Sequence, residues 1–233
     1  MPDEENAVTK KWIIGAVMVG VLAACVYDAA ANMEMRIGGE GMLPGNDDDW
    51  DIGYGASAQV IFWSDTGLGF ALSAGAQQWE INDDVTAYGE DLGGGYGYGY
   101  AAGLEGDAMM IPLGASALYR VALGQTASLT LEGGLRYVIV NSNIEFVQAE
   151  AIADMYGNYI TYAESYEIDI ENGIVGVLGA DFEMEVSPGF RLFAGAGYQF
   201  DVLKGDTSIV GFDIDYENEL KAIYFRAGLA FAL

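Results

Sequence analysis

The chain of 233 residues contains no histidine and a single cysteine, Cys25. The first absence removes the commonest general base and the commonest metal ligand. The second excludes an intrachain disulfide. Basic residues are scarce: 9 Lys+Arg face 35 Asp+Glu, a formal charge of −26. So acidic a chain is a poor electrostatic partner for nucleic acid or anionic headgroups. Past the N-terminus no apolar run reaches the length of a spanning helix, although 52% of the residues are hydrophobic. What the chain holds instead is 33 Gly, 15 Tyr and 10 Phe, a composition of turns and strands.

The N-terminal stretch has the layout of an export segment. Lys10 and Lys11 precede an apolar run from Trp12 to Tyr27, and Ala29-Ala30-Ala31 supply small residues for cleavage. Residues 1–31 are therefore expected to be a secretory signal peptide and 32–233 the mature domain. Asp3, Glu4 and Glu5 depart from the usual basic start. Two alternatives stand beside simple cleavage. Leu22-Ala23-Ala24-Cys25 resembles a lipoprotein box in which Cys25 would be lipidated, and the apolar run would otherwise stay as a helical anchor.

The C-terminal end alternates strictly. Ile223, Phe225, Ala227, Leu229, Phe231 and Leu233 fall on one parity; Tyr224, Arg226, Gly228, Ala230 and Ala232 fall on the other. That is a strand with one apolar face. Such a strand needs a partner or a covering phase, because a bare apolar edge aggregates.

Tight turns at 64–67, 124–127 and 187–189 alternate with long polar connections at about 42–50, 81–107, 141–169 and 203–220. Between them the spacing predicts eight strands: 33–41, 51–63, 68–78, 109–121, 127–140, 170–186, 190–202 and 223–233. Leu72-x-x-Gly75, Leu131-x-x-Gly134 and Leu192-x-x-Gly195 follow the three tight turns. This reads either as a duplicated hairpin or as the shared grammar of neighbouring strands.

In each strand one parity is free of Asp, Glu, Lys and Arg, with Asn172 its main polar exception. The other parity carries Glu34, Arg36, Arg120, Glu132, Arg136, Glu171, Asp181, Glu183, Glu185, Arg191, Asp201 and Arg226. A basic side chain facing mid-bilayer costs about 2–4 kcal/mol, which would account for the segregation. Outward aromatics gather toward strand ends, Phe62, Phe70, Phe190 and Phe231 at one, Tyr54, Tyr137, Tyr198 and Phe200 at the other, as interfacial belts would require.

These features together resemble the small eight-stranded outer-membrane barrels, the superfamily of the outer membrane protein A transmembrane domain and the opacity-type porin-like proteins. Arg226-x-Gly228-x-x-Phe231-x-Leu233 resembles their C-terminal sorting signal, with Leu233 where an aromatic is usual. The resemblance implies an all-β, antiparallel, up-and-down transmembrane barrel in the bacterial outer membrane, in contact with lipid and lipopolysaccharide and inserted by the barrel-assembly machinery. A monomer without cofactor or metal is expected, whose loops would meet an unknown extracellular ligand.

The inward arginines and carboxylates are expected to pair as a salt-bridged plug, with about −2 of net charge, because an eight-stranded barrel is just wide enough for side chains to fill. Inward glycines such as Gly114, Gly134, Gly179, Gly195 and Gly228 would leave room for the arginines. A narrow, weakly cation-selective pore is the alternative. A soluble lipocalin-like barrel is a third reading, with the apolar face turned inward. No catalytic residue is assigned. Outer-membrane barrel enzymes such as lipases, lipid A acyl-modifying enzymes and surface proteases generally rely on a histidine, which this chain lacks.

The loops carry acidic runs, Asn46-Asp47-Asp48-Asp49 and Asp213-Ile214-Asp215-Tyr216-Glu217, opposed only by Lys204 and Lys221. They read as a solvated surface or as ligands for divalent cations that bridge lipopolysaccharide. Residues 93–100 read as a flexible contact surface or an extended hairpin. Residues 146–156 have the spacing of a short helix.

Overall fold

The computed structural model describes residues 32–45, 51–82, 86–93, 96–153, 156, 158–203, 206–209, 215–217 and 220–233. The expected export segment with Cys25, the run 46–49 and Lys204 lie outside the described residues.

Among the described residues, twelve strands form one antiparallel sheet: β1 Met33–Pro44, β2 Gly53–Trp63, β3 Leu68–Asn82, β4 Thr86–Gly93, β5 Tyr96–Ala122, β6 Ala127–Ala153, β7 Tyr159–Ile170, β8 Gly173–Ser187, β9 Phe190–Leu203, β10 Asp206–Ile209, β11 Asp215–Glu217 and β12 Ala222–Ala232. Eight of them close a ring in the order β1-β2-β3-β5-β6-β8-β9-β12, and β12 returns to β1 from Glu34↔Ala232 to Pro44↔Ala222. Closure leaves no unpaired edge around the ring.

The first and last strands meet at the end that carries the three tight turns, where Leu233 N donates to Met33 O at 2.8 Å. Two of those turns use a glycine with positive φ, Gly67 at 81° and Gly189 at 77°. In the first, Ser64 N donates to Leu68 O at 2.8 Å.

The parity of every barrel strand decides its two faces. Ile37, Leu72, Leu113, Leu131, Phe182 and Phe225 stand exposed on the outside. The inside holds the buried charges. A lipocalin-like arrangement is thereby overturned, since it would need the opposite assignment. Phe190 and Phe231 meet at 5.3 Å between ring centroids at the turn end, and Tyr198 stacks with Phe200 at 6.4 Å toward the other end. The three strands that carry the Leu-x-x-Gly recurrence, β3, β6 and β9, all leave a tight turn.

The second end differs from expectation. The segments expected as long polar loops are in large part strand. The β5–β6 ladder runs on past the last β6–β8 pair, Val138↔Gly173, and its 13 register pairs from Met109↔Asn141 to Gly97↔Ala153 span about 40 Å at ~3.3 Å per residue. β4 pairs with β5, β7 with β6, β10 with β7 and β11 with β10, giving a projecting six-stranded sheet in the order β4-β5-β6-β7-β10-β11. Of the two readings of residues 93–100, the hairpin matches the β4–β5 pairing. The expected helix at 146–156 is strand as far as Ala153. Hydrogen-bonded neighbours on both sides, β5 and β7, outweigh a short helical spacing that could not sustain a helix by itself.

Candidate functional site: a neutral ion network in the lumen

The inward parity of β1 lines up Glu34, Arg36, Gly38, Glu40 and Met42, and the facing strands complete a continuous network around them. Arg36 is fully buried and uses every arm of its guanidinium: Nε donates to Glu34 at 2.8 Å, Nη1 to Asp181 at 3.0 Å and Nη2 to Glu183 at 2.5 Å. Glu34 also receives Arg120 at 2.8 Å and Arg191 at 2.6 Å, so three arginines converge on one carboxylate. Arg120 bridges onward to Glu183 at 2.8 Å and lies 3.9 Å from the centroid of the Trp63 ring. Thr130 donates to the same Glu183.

Asp181 links this lower half to the upper half. Arg226 grips it through Nε at 2.8 Å and Nη2 at 2.7 Å, and also donates to Glu132. Ser116 donates to Glu132 at 2.8 Å. Above them Arg136 sits 3.9 Å from Glu40, and Ser57 donates to Glu40 at 2.6 Å. The Tyr224 ring lies between two guanidinium groups, 5.4 Å from Arg136 and 5.6 Å from Arg226.

The network therefore joins Arg36, Arg120, Arg136, Arg191 and Arg226 to Glu34, Glu40, Glu132, Asp181 and Glu183. Five charges of each sign make it neutral, where a net of about −2 was expected. Three expected members stand apart. Glu171 is exposed in the two-residue link between β7 and β8, because the strand expected from residue 170 starts only at Gly173. Asn172 lies in the same link and accepts from Val140 N at 2.9 Å, so it is not a lipid-facing strand residue. Glu185 is half-buried at the turn end, outside the network, and its backbone donates to Thr126 O at 2.7 Å. Asp201 faces the other mouth and accepts from Leu220 N at 2.9 Å.

One member was missed. Glu40 has the same parity as Glu34 and Arg36, and counting by twos along β1 would have found it. The uncharged inward residues Ser57, Gln59, Gln77, Ser116 and Thr130 carry no formal charge to mark them in the sequence. Gln59 donates to Glu132 at 3.4 Å and Gln77 to Glu40 at 3.3 Å. The inward glycines mostly make room for other groups than arginine. A side chain at Gly179 or Gly197 would strike Tyr224, and one at Gly195 would strike Asp181, whereas one at Gly114 would meet the Arg136 side chain.

Toward the projecting sheet the lumen becomes apolar. Met42, Trp79, Met110, Val138, Val175 and Val177 form a buried cluster with Tyr224 and Leu220. A cavity of about 390 Å³ lies at the turn end, bordered by Glu34, Trp63, Arg120 and Arg191; another of about 490 Å³ lies at the other rim, where Gln78 and Asp107 share the outward parity of Met109. The residues of the expected sorting signal are split by parity: Arg226 belongs to the network, while Phe231 pairs with Phe190 outside and Leu233 is exposed.

No protein-family model matches the chain, and no curated protein sequence matches it. By fold it is similar to the outer membrane protein OprG of Pseudomonas aeruginosa, at 11% identity over 88% of this chain and 97% of that one, with a TM-score of 0.52. Neisserial surface protein A aligns at 11% identity over 87% and 96%, with a TM-score of 0.48. A major outer membrane protein of Thermus thermophilus aligns at 14% identity over 86% and 99%, with a TM-score of 0.45. The likeness to OprG is one of fold: an antiparallel up-and-down barrel.

Proposed function

We propose that the chain is a bacterial outer-membrane barrel with a closed lumen, which acts as a membrane-embedded scaffold for the projecting sheet rather than as an enzyme or a pore. The apolar outer face and the fold shared with an outer membrane protein support the location. The observation that carries the closed lumen is the neutral network of five arginines and five carboxylates, capped by an apolar layer. A conducting pore of either selectivity would need an excess charge facing a continuous water path. Here each buried charge is matched by a partner of opposite sign, and the partners span strands on opposite sides of the ring. The C-terminal strand, with Arg226, Gly228, Phe231 and Leu233, serves in this reading as the signal for the assembly machinery, and the turn end faces the periplasm.

Two measurements test it. The refolded protein in planar bilayers is expected to show no steady single-channel conductance, and R226A is expected to raise it. Steady wild-type conductance would refute the closed lumen. Protease added to intact cells is expected to trim the sheet and spare the barrel; cleavage only after the outer membrane is opened would refute the orientation.

A further inference from the structure

The projecting sheet has two chemically different faces. On one, the register sets Tyr88 opposite Tyr100, Tyr100 opposite Glu150 and Glu150 opposite Tyr162, a row across four strands. The next row holds Glu90, Tyr98, Ile152 and Ile160, and Glu164 stands opposite Gln148 on the row to the other side. The opposite face of β5 and β6 carries Gly97, Gly99, Ala101, Ala149 and Ala151.

Neighbours in such rows stand about 5 Å apart, so tyrosine rings flank Glu150 on both sides. Tyr88 and Tyr162 are each 57% exposed. Tyr98 donates its hydroxyl to Glu150 at 3.3 Å, which orients the carboxylate and leaves most of its lone pairs open. Opposing positive charge is scarce: residues 137–190 contain no Lys or Arg at all. Aromatic faces beside a carboxylate are complementary to an organic cation, because the ring quadrupole and the full charge attract it together.

We infer that the Tyr88–Tyr100–Glu150–Tyr162 row, with Glu90 and Glu164 beside it, is a docking surface for an arginine- and lysine-bearing segment of another protein. Charge complementarity selects a cationic occupant. Several carboxylates on one face, each next to a tyrosine, fit a run of basic side chains better than a single small cation.

A fluorescent hexa-arginine peptide titrated onto the refolded full chain in a non-ionic detergent tests the surface. The wild type is expected to bind. Y100L/Y162L, which leaves the charge unchanged, is expected to bind about tenfold more weakly, as loss of two cation–π contacts, one at half-buried Tyr100 and one at exposed Tyr162, implies. Y100F/Y162F, which keeps the rings, is expected to match the wild type. E150Q/E164Q is expected to weaken binding, whereas E145Q/E167Q removes the same charge from the opposite face and is expected to stay within about twofold. Absence of wild-type binding overturns the inference. So does equal weakening by the two glutamate pairs, or an unchanged Y100L/Y162L, since either means diffuse attraction to an acidic surface. Each variant is first shown to migrate as a folded barrel in unheated gels. The titration involves neither conductance nor sidedness, so its failure is separable from failure of the closed-lumen reading.

Discussion

Arg36 and Asp181, 145 positions apart in the chain, meet at 3.0 Å inside the barrel, and both are almost wholly buried. Asp181 is also the carboxylate that Arg226 grips with two nitrogens. It thus joins the two halves of the network. D181A would leave two buried guanidinium groups short of a partner, and breaking a buried ion pair costs about 3–5 kcal/mol. Urea unfolding of the refolded protein in lipid vesicles is expected to show a loss of that size. R226A/D181A is expected to lose less than the sum of its single changes, because residues of one network couple. Strict additivity would mean that the two side chains act independently.

The outer face makes a separate prediction. Leu72 stands exposed in the body of β3, between Val60 and Ala115 in register, whereas Val121 lies next to the turn after β5. L72R is expected to destabilise the barrel by about 2–4 kcal/mol in bilayers, and V121R by only about 0–1. The same unfolding assay checks the difference. Equal costs would contradict a bilayer centred on the middle of the strands.

How far the sequence could be read follows from contrast. Barrel strands alternate large apolar residues with charges or glycine, so parity was plain at Phe225/Arg226 and at Leu131/Glu132. The partners were not plain, because register across strands is set by closure of the ring; that Arg36 reaches Asp181 and Glu183 appears only in three dimensions. Glu171 was misplaced because Ile170 and Ile174 keep one parity across a link that breaks the strand. The projecting sheet was hardest to read. Its strands carry acids on both faces, as at Glu145 and Glu150, and without an apolar face they look like loop. Only the Gly–Tyr alternation of residues 97–100 hinted at a strand.

That same sheet contains a repulsive row. Glu105, Glu145 and Glu167 are directly opposite one another on β5, β6 and β7, and all three are exposed. Like charges so placed are destabilising by several tenths of a kcal/mol per pair. E145K replaces two repulsions with two attractions. It is expected to stabilise the sheet by about 0.5–2 kcal/mol at low salt, with the gain shrinking as salt is added. Hydrogen exchange of the β5–β6 ladder beyond Asn141 measures it. Faster exchange in E145K would refute the assigned register.

Tyr166 carries a pH prediction. Its hydroxyl donates to Glu164, and that bond, together with desolvation and the carboxylate charge, raises its pKa above the usual 10.0. A raised folded-state pKa means that the bond's contribution to stability is fully present below about pH 10 and is lost as pH rises through the folded value. Ultraviolet titration against Y166F is expected to show one phenol ionising late. E164Q is expected to bring it back toward the normal range. A Tyr166 that ionises with the exposed tyrosines in the wild type would refute the bond.

The last prediction concerns how the lumen is filled. Tyr224 points inward from β12 and lies over Gly197 of β9, its register partner, and Gly179 of β8 beyond it. Its ring is wholly buried and touches both the guanidinium groups above and below and the apolar layer. An added methyl at Gly197 meets the ring edge together with the backbone carbonyl of Leu178, so neither neighbour can yield cheaply. G197A is expected to cost about 1–3 kcal/mol by overpacking. Y224A alone opens a cavity and is expected to cost about 3–5 kcal/mol. In the Y224A background, the added methyl meets space where the ring stood. G197A is therefore expected to cost less there than in the wild type, a coupling of about 1 kcal/mol or more. If the glycine change costs the same with and without the ring, the limit on that position is the Leu178 carbonyl, and Tyr224 has no part in requiring glycine there.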